Sequence, residues 1–228
     1  MFNFETRTTH VSRSLKIWSF PLFKYAGFLA QLFFYLFVIS LVIVGLLFFE
    51  QGRLPLYFLK VALASLALFT LFLQLDAFCI FVIKKLRFPF PLKDALANPE
   101  NYNLAEFLSL EACGIVERAI RICKKRRLSQ VPSDALLYAG LLHNADMRAL
   151  LMRLGMDTKK TIQDLKNYLE KQERKDKFSL ALSPSFEKTI LEAATIASGQ
   201  DRETISEKEL LAALAKHDSF FKTALVAA

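Results

Sequence analysis

The chain has 228 residues, 54% of them hydrophobic and 22 of them Phe, and a formal net charge of +8. Both features are concentrated early: residues 1–93 hold ten Lys and Arg against three Asp and Glu, whereas residues 94–228 hold twenty against nineteen. The near-neutral second part argues against a nucleic-acid partner, and three Cys without paired spacing exclude a disulfide scaffold and suit a reducing compartment.

Residues 1–24 form a basic N-terminal flank with Arg7, Arg13, Lys16 and Lys24. Tyr25–Phe49 then run without a charge, and Val61–Ile83 carry only Asp76. A bilayer core is crossed by about 20 helical residues, so both stretches suffice, and in lipid only a helix satisfies its own backbone. Residues 25–86 thus read as a transmembrane helical hairpin. The first stretch is too long for a signal peptide, and no cleavage site follows it. Gly52 and Pro55 mark the tight connection.

Lys84, Lys85, Arg87 and Lys93 follow the second span, while the connecting loop has only Arg53 and Lys60. The positive-inside rule places both termini on the cytoplasmic side of the cell (inner) membrane. Trp18 and Tyr25 fall where interfacial aromatics sit. At ~1.5 Å per residue, Gln31 and Asp76 lie at similar depths, roughly 9–11 Å inside the cytoplasmic boundary. They are the candidate polar contact of the hairpin, serving helix pairing rather than transport chemistry.

Residues 87–103 contain Phe88-Pro89-Phe90-Pro91 and read as a Pro- and Asn-containing, partly amphipathic linker. From 104 to 228 the period is helical throughout. Ser109 caps a helix ending in Lys124-Lys125-Arg126-Arg127, a run that complements the helix dipole or meets a phosphate or lipid headgroup. Pro132 or Ser133 opens a second helix. A third runs from Ala145 to Leu154 and stops at Gly155. Asp157 caps a fourth, Thr158–Lys171.

After the polar run Lys171–Lys177 the pattern repeats at a shift of 74 residues. Ser109 falls on Ser183, Val116 on Ile190, Ala119 on Ala193 and Val131 on Ile205. Leu136-Leu137 falls on Leu210-Leu211, Ala139 on Ala213, His143 on His217, Arg148 on Lys222 and Leu151 on Leu225. Ser183-Pro184 and the Ser206/Glu209 capping box repeat the helix starts. Repeat one covers about 104–171 and repeat two about 178–228. Neither is large enough alone to bury its apolar faces, so the pair should pack with pseudo-two-fold symmetry.

This layout resembles the double Clp N-terminal repeat, the substrate-receiving domain at the front of Clp-type AAA+ unfoldases. The resemblance rests on VERAIRICKKRRLSQVPSDALLYAGLL, LEAATIASGQDRETISEKELLAALA and the element Leu150–Leu169. It covers Asn103–Ala228 and none of the hairpin. It implies a domain of two Clp N-type helical repeats, which with the hairpin read from hydropathy gives an all-α chain: a transmembrane hairpin followed by a cytoplasmic repeat domain. The implied function is a membrane-tethered, non-catalytic domain that binds protein clients or adaptors for an unfolding and proteolysis machine. The bilayer, a Clp-type protease and self-association are the further partners. Repeat two stops at Ala228, the counterpart of Leu154, which reads as a truncation, with ATPase modules expected to follow. ATP is expected only with those modules, since no phosphate-binding loop occurs here. The alternative is a stand-alone membrane organiser or adaptor that oligomerises through hairpin and helical domain.

The remaining chemistry is sparse. His10, His143 and His217 lack metal-ligand spacing, and the latter two read as helix-end side chains bonded to backbone carbonyls. Cys113 and Cys123 read as buried small apolar residues, and Cys79 lies in the membrane. Catalytic, cofactor and metal residues are none, and the residues of a protein-binding groove are not legible from the pattern.

Overall fold

In the computed structural model, residues 3–6, 8–18, 20–51, 55–84, 90–175, 181–218, 220, 221 and 223 are described. Gly52, Arg53, Lys85, Arg87, Phe88, Pro89, Lys222 and Leu225 lie outside them, as do Arg7 and the side chains of Trp18, Lys24 and Lys84. The elements are α1 (His10–Trp18), α2 (Pro21–Lys24), α3 (Ala26–Gln51), α4 (Leu56–Lys84), α5 (Leu92–Ala97), a 3-10 turn (Leu104–Phe107), α6 (Leu110–Arg126), α7 (Ser133–His143), α8 (Ala145–Arg153), α9 (Thr158–Glu170), α10 (Pro184–Gly199) and α11 (Glu207–His217). The fold is all-α: single β-bridges occur among the described residues, but no strand. Two compact units result, residues 14–87 and residues 1–13 with 88–228.

In the first unit α3 and α4 pair, and each is long and apolar enough to cross a membrane. Only 11% of either span is buried, which is the opposite of a soluble core helix. The shared seam is built from small side chains, with Ala26, Ala30, Ala62, Ser40 and Ser65 all buried. Small residues let two helices approach where lipid supplies no hydrophobic driving force. Phe33 stacks on Phe72 at 5.6 Å, and Phe34 packs on Phe69 at 5.3 Å. The seam serines satisfy their hydroxyls within their own helices, Ser40 donating to Leu36 O and Ser65 to Val61 O.

The second unit carries the 74-residue register into three dimensions. Ser109 accepts from Ala112 N and Ser183 from Phe186 N, both at 3.1 Å. Asn144 accepts from Met147 N at 2.9 Å, and its counterpart Asp218 accepts from Phe221 N at 2.8 Å. Each cap satisfies one of the orphan amides at a helix start.

The repeats also exchange backbone bonds reciprocally. Ser109 N donates to Ile205 O and Ile205 N to Phe107 O; Ser183 N donates to Val131 O and Val131 N to Ala181 O. These are one pattern with the repeats swapped, the mark of a two-fold joint. Helix packing agrees, since α6 meets α11 as α10 meets α7, and α7 meets α11 across the axis. The core fills from both halves, with Val116, Ala119, Leu136, Leu137, Phe186, Ile190, Ala193 and Leu210 buried. α7 is buried from Ser133 to Leu141 because α9 covers its outer side with Leu165 and Leu169.

Two segments read as flank and linker join this unit. Phe4 is 8% exposed and sets its ring edge-on to Phe186 at 5.6 Å. Asn103 accepts from Glu5 N and donates to Glu5 O, and Ser12 Oγ donates to Glu117 Oε1. Val11, Thr6 and Thr9 are buried as well. On the other side of the hairpin, α5 buries Leu92 and Ala95 and packs on α10. Residues 3–12 and the second half of the linker are therefore structural parts of the helical unit.

Candidate functional site

The surface chemistry of the helical unit follows from what its core leaves uncovered. Among described residues from 104 onward, four large apolar side chains are exposed: Leu150, Met152, Leu154 and Tyr168. Three of them belong to α8 and its C-terminal residue, at 42%, 56% and 55% exposure. Leu150 and Leu154 are four apart and share a helical face. Met147 and Leu151, on the same side of α8 as Leu150 and Leu154, are both buried, and Met147 packs its thioether into the space left by Gly140. α8 is thus anchored through Met147 and Leu151, with Leu150 and Leu154 exposed along the border of that anchored side and Met152 farther round the helix. Sequence reasoning missed this patch, because an apolar residue on a short helix reads as core until its neighbours are known.

A buried polar joint ties the repeats where α7 begins and α11 ends. Ser133 Oγ donates to Asp218 Oδ2 at 2.8 Å, while Asp218 Oδ1 caps the next turn through Phe221 N. Asp134 lies beside it, 7% exposed. Burial, followed by the Asp218 charge, pushes the Asp134 carboxyl up to about 7. Glu209, 3% exposed, goes the other way. Burial raises its pKa, but hydrogen bonds from Ser206 and the Arg202 guanidinium outweigh this and hold it below its ordinary value.

The other singled-out residues are quickly placed. Asp76 is half-buried against Gly27, Gln31 is exposed, and no hydrogen bond joins the two among the described residues. His217 faces Glu192 Oε2 at 3.4 Å, a carboxylate and not the backbone carbonyl its helix-end position suggests. His143 is exposed, and its pKa is lowered by burial and by Arg118 and Arg148. Cys113 and Cys123 are fully buried, and burial pushes both thiols up to about 12, so neither is a nucleophile. Among the described residues no group of His, Cys, Asp and Glu is placed to hold a metal ion.

Comparison with known proteins finds one family and several solved structures similar to the helical unit. The family model for the Clp repeat (R) N-terminal domain matches residues 108–228. A solved structure described as a peptide from the EAEC T6SS Sci1 SciI protein aligns at 23% identity and TM-score 0.50, over 54% of this chain and 82% of that one. The Hsp104 N-terminal domain from Candida albicans aligns at 19% identity and TM-score 0.48, over 51% and 81%. The N-terminal domain of ClpV1 ATPase from E. coli EAEC aligns at 24% and 0.47, over 51% and 72%. No curated protein sequence matches the chain.

Proposed function

Because this chain belongs to the Clp repeat N-terminal domain family, we propose that it is a membrane-tethered protein-binding module, non-catalytic itself, that takes client or adaptor segments for a Clp-type unfolding machine. The exposed apolar side chains of α8 carry the reading. A rigid helix presenting Leu150, Met152 and Leu154 outward offers an extended or helical client segment an apolar anchor, and Met adapts to varied partners. The tether is the α3–α4 pair, with both chain ends on the cytoplasmic side, as the distribution of Lys and Arg favours. Asp76, half-buried against Gly27, serves helix association rather than an ion path.

The test uses the full chain reconstituted in lipid nanodiscs and a fluorescent, permanently unfolded polypeptide. Saturable binding is the expected result, weakened at least tenfold in the double variant Leu150→Ser, Leu154→Ser. Both positions are solvent-exposed, so circular dichroism should be unchanged. Binding that ignores the double variant would remove α8 from the function, and absence of binding would leave the stand-alone organiser as the better account.

A further inference from the structure

Under the 74-residue register, α6 and α10 end in one backbone motif. Arg127 and Asp201 both adopt the left-handed conformation, with φ of 57° and 53°. Arg127 N donates to Lys124 O and Leu128 N to Cys123 O; Asp201 N donates to Ser198 O and Arg202 N to Ala197 O. This is the Schellman ending, in which the two amides after the helix satisfy two orphan carbonyls. Repeat one fills these positions with Lys124-Lys125-Arg126-Arg127, repeat two with Ser198-Gly199-Gln200-Asp201. Repeat two closes the same element with no cation at these four positions. Helix-dipole complementation therefore does not account for four of them.

More positive charge is brought to the same place. Leu128 bridges Arg174, Ser129 N donates to Glu173 O, and Lys175 N donates to Arg127 O at 2.8 Å. Lys125, Arg126, Arg127, Glu170, Arg174 and Lys175 then line a cleft of about 560 Å³. Arg126 is held in place: it lies 5.4 Å over the Tyr138 ring, donates to Lys166 O and faces Glu170 at 3.9 Å. Glu170, the one carboxylate of the lining among the described residues, is answered by that contact. Lys125, Arg127, Arg174 and Lys175 remain exposed around the cavity. Among the described residues no apolar side chain lines it, so it suits a compact polar anion and not an acyl chain.

We infer that this cleft takes the phosphate-bearing headgroup of an anionic membrane lipid. The inference rests on the membrane-tethered reading. Leu92, buried in the helical unit, is eight residues from the end of α4 at Lys84. Even fully extended, that stretch spans about 28 Å, so a unit tethered through it meets headgroups at high effective concentration. Guanidinium forks and ammonium groups match phosphate oxygens. The hairpin provides continuous access to lipid, which favours a lipid over an acidic peptide.

Lysine acetylation of the full chain in nanodiscs, read by peptide mass spectrometry, tests this. Lys125 and Lys175 should react at least fivefold more slowly in discs with 30% phosphatidylglycerol than in phosphatidylcholine discs, while Lys208, outside the cleft, should not change. Arg127→Asn with Arg174→Gln should abolish the difference; Asn tolerates the left-handed position, so the helix end is kept. Equal rates in both discs overturn the proposal. So does slowing in phosphatidylcholine discs by inorganic phosphate, which would mark a free-phosphate site, or by a poly-glutamate peptide, which would mark a protein partner. Carbonate extraction separates the two readings: a chain that resists it yet shows no protection refutes the headgroup site alone, and a chain that is extracted refutes the tether and the site together.

Discussion

At the scale of single residues, Asp134 makes the clearest claim. Its proton is held up to about pH 7 in the folded chain, against about 4 for an unfolded aspartate. Between those values the folded state carries the extra proton, so stability falls as pH rises through the window and levels off above it. Asp134→Asn keeps the shape of the protonated acid. Chemical denaturation from pH 4 to 8 should find the variant little changed at pH 4 and more stable than the parent at pH 8, by on the order of 1–3 kcal/mol. Parallel curves would show that the carboxyl ionises there without cost. Arg127 makes a second claim through its positive φ. Arg127→Gly should be neutral or stabilising by up to about 1 kcal/mol, whereas β-branched Arg127→Val should cost about 1 kcal/mol or more in the same assay. Counting along the chain puts Gln31 and Asp76 at matching depths, but depth says nothing of the angle a side chain makes around its helix, and no hydrogen bond joins the two among the described residues.

At the scale of elements, the helix starts were legible because capping is local. Ser109, Asp157, Ser183 and Ser206 each bond amides two or three residues ahead, and all four begin a helix. Ser109→Ala and Ser183→Ala should each lower stability by about 0.5–2 kcal/mol in denaturant titrations. Equal costs at the two sites would match their equivalence under the 74-residue shift. The segment Asn3–Ser12 and helix α5 were not legible as parts of the domain. Their apolar residues are few and widely spaced, and what fixes them is far off in the chain: Asn103, Glu117 and Phe186 for the first segment, α10 for α5. Phe4→Ala should loosen this strap, costing about 1–3 kcal/mol and exposing residues 3–12 to limited proteolysis before the helical core is cut.

At the scale of the whole molecule, one symmetric domain receives the chain from both sides of an apolar helix pair, through the Asn3–Ser12 segment before it and α5 after it. The symmetry was legible because a fixed register preserves caps, core positions and bridge residues together. The face proposed for binding was not, since Leu150 and Leu154 follow the same apolar period as buried leucines and differ only in what packs over them. Hydrogen exchange on the full chain in nanodiscs, with and without a saturating unfolded polypeptide, tests the central claim most directly. The account expects slowed exchange centred on Ala145–Leu154, with the two-fold joint at Val131 and Ile205 unchanged. Protection confined to other helices, or none at saturation, would contradict it.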